Sequence, residues 1–287
     1  MAGSPAHKLG QIIGDMVEAA VEPALRTVAA THSLYLDSKN PRPARNGRKT
    51  VVWTDDKGNP HRLDWVLERG GTSKAVGTPV AFIEVAWRRY TKHSKNKAQE
   101  IQGALDPLLS KYVQNRPFAA TVLAGEFTDP SLTQLRSRGY SVAYFDLASV
   151  VAAFQSVGVD VSCVESTSQA VLQSKVDAWN ALPAATQQLV GPKLIALNKA
   201  AFDAFIAELN SALSRVLVSV RVLGLHGSSV TLTAIPDAIN YVNAYVEGAP
   251  CQGFEHYEIE VTYSNGDTIR GDFKTKPAAV TFLNTVT

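Results

Sequence analysis

A chain of 287 residues with 45% hydrophobic and 19% charged side chains can fill one large core or two smaller ones. It holds no run of about 18 apolar residues, the length a membrane-spanning helix needs, and its first residues, Met1 to Lys8, lack the apolar segment of an export signal. The two cysteines, Cys163 and Cys251, have neither a CxxC partner nor a histidine neighbour. This argues against a disulfide framework and a zinc site, and predicts small core residues in a cytoplasmic protein.

The net charge of +2 hides an uneven split: residues 1–160 hold 20 Lys+Arg against 15 Asp+Glu, whereas residues 161–287 hold 8 against 11. The basic residues also cluster. Lys39, Arg42, Arg45, Arg48 and Lys49 share a loop rich in proline, glycine and asparagine, and Arg88, Arg89, Lys92, Lys95 and Lys97 fall within ten positions. One such cluster is ordinarily a solvated face. Two clusters that flank one pair of carboxylates fit a polyanion, because each neutralised phosphate releases condensed counterions.

In chain order, residues 8–30 have helical spacing (Leu9, Ile12, Ile13, Met16, Val17, Ala20, Val21), with Pro23 expected to kink or end the first part. Thr50–Thr54 predicts a strand, the turn at Asp56–Asn59 a hairpin, and Arg62–Glu68 the returning strand. A third strand follows at Val80–Trp87, then a helix marked by Ala98, Ile101, Leu105, Leu108 and Leu109. A buried strand at Phe118–Gly125, a short helix over 129–138, a strand at Tyr140–Asp146 and a helix over 147–156 complete an α/β pattern with a mixed sheet. These elements predict a core domain over 1–160 and an accessory region over 161–287. Residues 166–215 read as an alanine-rich helical bridge or arm. Pro236–Asn243 matches Pro277–Asn284 in its Pro, Ala, aliphatic, aromatic and Asn positions, each preceded by a turn (His226–Ser229 and Ser264–Asp267), so two tandem ββα units are expected over 216–287.

Asp64 and Glu84 each lie inside an apolar strand, where burying a carboxylate is costly unless a cation compensates it. Converging strand carboxylates make a hard oxygen site suited to Mg²⁺, which polarises a phosphate and activates water, while nearby lysines stabilise the charge that develops. An arginine partner on a sheet surface is the structural alternative for each acid alone. Trp53, Trp65 and Trp87 on consecutive strands read as sheet packing rather than stacking platforms, and His61 and His93 have no partner at ligand spacing.

The order and spacing of these elements resemble the PD-(D/E)xK nuclease superfamily, in particular its type II restriction endonucleases. Its members share a helix, a hairpin with the first Asp, a strand with Glu-x-Lys, a long helix and then strand-helix-strand, an order that residues 8–150 follow. The resemblance implies that Asp64 is the motif's Asp, Glu84 its acidic partner and Glu18 a third metal ligand. It implies Mg²⁺ as cofactor, hydrolysis of double-stranded DNA at a short site, and a homodimer reading a two-fold symmetric sequence. It implies nothing about residues 160–287. Leu63 stands where the motif has proline, and Ala86 where it has lysine. Three explanations stay open: a lysine supplied from the next helix, Lys97 first and Lys95 second; Arg88 on the same strand face; or an inactive relative or trapping substitution. Two other functions remain alongside site-specific cleavage, a DNA-binding module that does not cut and a structure-selective junction or repair nuclease. Lys39, Arg42, Arg45, Arg48, Lys49, Arg88, Arg89 and Lys92 are the expected DNA contacts.

Overall fold

The computed structural model describes residues 4–91, 94–224, 229–248 and 253–286; Lys92, His93, Cys251 and His226–Ser228 of the first expected turn lie outside the described residues. Helix α1 (Pro5–Thr31) starts where sequence chemistry dictates: the Ser4 hydroxyl accepts from the His7 amide, and Pro5 takes a first-turn position that needs no donor. Leu9, Ile13, Val17, Val21, Leu25 and Val28 form one buried stripe along it. Pro23 does not end the helix, which runs on to Thr31.

A five-stranded sheet in the order β1-β4-β5-β6-β7 lies against this helix. It comprises β1 (Leu34–Asp37), β4 (Trp65–Arg69), β5 (Thr78–Arg88), β6 (Phe118–Gly125) and β7 (Ser141–Asp146). The β1–β4 and β4–β5 pairs are antiparallel, while β5–β6 and β6–β7 are parallel, so the sheet is mixed and the fold is α/β. The parallel crossovers run through α2 (Ser94–Lys111) and α3 (Asp129–Ser137), which pack on each other. Along β6 every residue from Ala119 to Gly125 is buried, as expected of a strand covered on both faces. The short strands β2 (Val51–Thr54) and β3 (Pro60–Leu63) pair only with each other. The single returning strand expected over 62–68 is therefore two strands, broken at Asp64.

The expected boundary near residue 160 is not where the chain divides. Helices α4 (Leu147–Gln155), α5 (Gln169–Asn180), α6 (Ala184–Gln187), α7 (Val190–Leu197) and α8 (Lys199–Leu213) follow β7. Of these, α5 and α7 pack on α1, and α4 packs on α7. Gly191 makes the α1–α7 crossing close, since a Cβ there would sit 3.3 Å from the Cα of Ala20. One compact unit thus comprises residues 1–111 and 117–210, and the other residues 112–116 and 211–287. The helical segment is part of the first unit's core, not an arm.

The second unit has the order β8 (Leu217–Gly224), β9 (Val230–Leu232), α9 (Ile235–Ala244), β10 (Tyr257–Tyr263), β11 (Thr268–Phe273), α10 (Lys276–Thr285). Its sheet, β11-β10-β8-β9, places the first strand of each ββα repeat at the centre, antiparallel to the other. The helices pack together over Val220, Val222, Ile259, Val261, Phe282 and Leu283. Arg215 ties residues 112–116 to this unit, donating to the carbonyls of Asn115 at 2.6 Å and Arg116 at 3.1 Å and pairing with Asp267 at 3.1 Å.

A fragment ending at residue 160 should lack a cooperative unfolding transition, because it leaves the α1 face uncovered where α5 and α7 belong. A fragment ending at residue 210 should keep one. Circular dichroism during urea titration of both fragments checks this, and a cooperative transition in the shorter one would refute it.

Candidate active site

The last register pair between β4 and β5 is Trp65↔Ile83. One residue beyond it the chain leaves the sheet for the β2–β3 hairpin, and there Asp64 faces Glu84. Each carboxylate is fixed by the other strand's backbone: the Asp64 amide donates to Glu84 Oε1 at 3.2 Å, and the Val85 amide donates to Asp64 Oδ2 at 2.7 Å. Glu84 is 8% exposed. Burial, and then the charge of Asp64, push its carboxyl up to about 8, against the pull of Lys97 and Lys39.

Lys39 enters from the loop after β1. Its ammonium lies 2.6 Å from Glu18 Oε1 on α1 and 2.8 Å from Asp64 Oδ1. Burial disfavours its charge, yet Asp64 and Glu18 outweigh that and hold it above the ordinary lysine range. Glu18 is raised by its own burial despite the bond to Lys39, and Asp15, one turn earlier, is raised for the same reason. Asp64 and Glu84 thus meet at one corner, and Glu18 is joined to it through Lys39, a lysine assigned from sequence to phosphate contact. Asp15 was missed altogether; its i,i+3 spacing from Glu18 on one helix face was the available signal.

Ala86 is buried beside Glu84's strand face, and the charge nearest in effect to Glu84 after Asp64 is Lys97 on α2. Lys97 also pairs with Glu100 at 3.3 Å, and Arg88 reaches the same carboxylate at 3.4 Å. Lys95 is exposed.

Two of the expected DNA contacts are corrected by burial. Arg42 has a side chain 2% exposed. It forks onto Glu68 at 2.5 and 2.9 Å, pairs with Asp37 at 2.9 Å, and donates to the carbonyls of Thr72 and Ala75. Glu68, wholly buried, can approach this closely because Gly71 has no Cβ, which would lie 2.5 Å from its Oε2. Arg45 Nη2 donates to Asp37 Oδ1 and to the carbonyls of Ser38 and Asn40, all at 2.9 Å. It therefore grips the backbone on both sides of Lys39. Both arginines build the loop and face no phosphate; Arg48 and Lys49 are exposed, and Arg88 and Arg89 are half-buried.

The corner offers hard oxygen donors, and its oxygens already draw in an ammonium. Among the described residues no three His, Cys, Asp or Glu side chains stand together as a formed metal site. Mg²⁺ commonly uses one or two carboxylates, with water and substrate phosphate for the rest, so Asp64 and Glu84 fit it, while Glu18 reaches them only through Lys39. On β6, Thr121 is the register partner of Glu84, and its buried hydroxyl has no hydrogen-bond partner among the described residues, which leaves polar capacity beside the pair. The chain matches no protein-family model, no curated protein and no solved structure.

Two outcomes follow from this geometry. Arg42→Ala should lower stability by about 3–5 kcal/mol, the cost of stranding buried charges, whereas Arg48→Ala should change it by less than about 0.5 kcal/mol; urea midpoints decide, and equal midpoints would dismiss the buried cluster. Glu84 binds its proton more tightly when folded than its ordinary value of 4.5, so ionising it opposes folding. With chelator present, stability should fall as pH rises from about 4.5 to about 8, with no further loss from this group above that. Glu84→Gln should flatten that part of the profile.

Proposed function

We propose that this chain is a Mg²⁺-dependent endonuclease that hydrolyses phosphodiester bonds of double-stranded DNA, of the kind found in type II restriction systems, on a restriction-endonuclease-like core. The observation that carries the reading is the interlocked Asp64–Glu84 pair, with Lys39 and Lys97 acting on it from two other elements. Buried like charges at a strand end are costly for stability, and such a cost is characteristic of sites built for chemistry.

Asp64 and Glu84 would hold the cation. When bound, Mg²⁺ supplies Lewis acidity toward the scissile phosphate and lowers the pKa of water. The Glu84 carboxyl, fixed at Oε1 by the Asp64 amide, keeps its other oxygen for a water or a proton. Lys97, brought to Glu84 by α2, takes the part of the lysine missing at Ala86 and stabilises charge on the phosphoryl oxygens. Of the expected contacts among the described residues, Arg88, Arg89, Arg48 and Lys49 are left for phosphates. The second unit is assigned to specificity or to assembly of a homodimer, since symmetric sites are read by symmetric proteins. A non-cleaving DNA-binding role is the second reading. It is favoured by one observation, the buried alanine at position 86.

Plasmid DNA incubated with protein and Mg²⁺ should yield discrete fragments. Asp64→Ala and Glu84→Ala should abolish cutting while DNA binding, read by gel shift, is kept or tightened, because a carboxylate repels phosphate wherever it is ionised. Lys97→Ala should slow cutting about 100-fold or more. Intact plasmid with retained binding would favour the non-cleaving role, and undiminished cutting by Asp64→Ala would remove this corner from the chemistry.

A further inference from the structure

A groove of about 800 Å³ opens where β5 ends, lined by Trp87, Arg88, Arg89 and Tyr90 and, from α1, by His7 and Gln11. Trp87 and Arg88 lie three and four residues beyond Glu84 on the same strand, about 10–13 Å at the strand rise. Arg88 shares the face of Glu84 whereas Trp87 points to the opposite one. A strand reaching both would therefore pass around the β5 edge, a path of at least about three or four nucleotides at a rise of about 3.4 Å each. β4 stops pairing with β5 at Ile83, so it does not cover this stretch.

The lining brings two aromatic rings together with two guanidinium groups, and the described residues that line it include no acid. The cations are already placed. Arg89 Nη2 donates to the Ala6 carbonyl at 3.2 Å with its guanidinium 5.9 Å from the Tyr90 ring, and Arg88 donates to the Trp87 carbonyl at 2.9 Å. Guanidinium groups alone would suit the phosphates of an intact duplex, which exposes phosphate but keeps its base faces stacked. Rings beside them add a surface that only an unstacked base can use. Tryptophan was expected to serve sheet packing throughout; Trp53 and Trp65 are buried and do so, while Trp87 is half-buried and lines the groove.

We infer that this groove binds an unpaired nucleotide a few positions from the scissile phosphate, stacked on Trp87 with its phosphate at Arg88 and Arg89. The inference rests on the nuclease reading and adds that the favoured substrate is DNA with an unpaired base near the cut. That base can come from a strand end or be extruded from a weakened pair.

The test is fluorescence anisotropy with labelled DNA in chelator, so that binding is read with cutting switched off. Three probes of equal length are compared: a duplex closed by hairpins at both ends, the same duplex with one internal mismatch, and a duplex with a short single-stranded tail. Wild type should prefer one or both of the last two, the mismatch marking an extruded base and the tail a strand end. Trp87→Ala should lose about 5- to 100-fold on the preferred probe and little on the closed duplex, and Trp87→Phe should restore binding. Gly10→Leu is the variant that spares Trp87. A Cβ at Gly10 meets the Trp87 indole nitrogen at an ordinary 3.9 Å, leucine favours helix over glycine, and the longer side chain would fill the groove. It should show the same selective loss. Equal affinity of wild type for all three probes, or equal losses on all three in the variants, would overturn the inference while leaving plasmid cleavage intact. Failure to bind any DNA, by wild type in chelator and by Asp64→Ala in Mg²⁺ alike, would overturn the nuclease reading with it.

Discussion

A carboxylate without solvent contact, Glu68, sits near the end of β4 beside the edge strand β1, and its charge has to be answered from within the protein. Arg42 answers it with both ends of its guanidinium while also reaching Asp37 and two loop carbonyls. Several distant parts of the chain are fixed by that one requirement. Strand β1 is brought to β4 through Asp37, the 70–77 loop closes over the acid, and Gly71 and Gly77 are needed because a Cβ at either would collide with Glu68 or with the backbone at Arg69. The Tyr35 ring, 4.3 Å from the Arg42 guanidinium, completes the enclosure. Arg45, drawn to the same Asp37, then clamps the carbonyls at Ser38 and Asn40, so the Lys39 side chain starts from a fixed point. The buried ion cluster and the candidate active site are therefore one piece of architecture, joined at a single loop.

At the corner itself the electrostatics are poised rather than relaxed. Asp64 and Glu84 repel each other, Glu84 is lifted far above the carboxylate range, and Glu18 and Asp15 are raised as well. Lys39 and Lys97 offset this from opposite elements, and the Asp64 and Val85 amides hold the two acids in place. Left to itself, such a cluster repels phosphate. A divalent cation would reverse that sign where a phosphate would have to approach, and this is the electrostatic ground for the metal-assisted chemistry we propose.

Much of the fold could be read from the residues, because the signals were local. The α1 stripe, the Asp56–Asn59 turn, the apolar run of β6 and the paired prolines of α9 and α10 depend on periodicity or turn chemistry alone. Strand β1 was not legible: four residues, Leu34–Asp37, follow directly on a long helix and gain strand character only from pairing with β4. The break at Asp64 was equally hidden, since Arg62–Glu68 reads as one run until the hairpin and the sheet claim different halves. Asp64 and Glu84 were picked out as a pair by their apolar neighbours and by the family resemblance, and the two do lie together, but the roles of the arginines were not foreseen. A basic loop looks the same in sequence whether its guanidinium groups face solvent or a buried glutamate, and only Glu68, read as an ordinary strand residue, held the difference. The domain boundary was misplaced for a related reason: an alanine-rich helical stretch does not announce that its apolar side closes over a helix more than 130 residues earlier.

The second unit obeys a different constraint. One ββα repeat has a single apolar face and too little to cover it. Two repeats solve this by setting β8 beside β10 and α9 beside α10, which encloses one shared core. The opposite face of that sheet is polar, and its charges largely answer one another, Arg221 with Glu258 and Arg270 with Glu260. The unit, residues 112–116 and 211–287, carries 6 basic side chains against 7 acidic ones. A surface already neutralised in pairs, on a unit with excess negative charge, gains little from releasing phosphate counterions. On the function proposed here, affinity for a nucleic-acid backbone is assigned to the first unit, where Arg48, Lys49, Arg88 and Arg89 are cations among the described residues, and the second unit is assigned a few directed contacts or assembly.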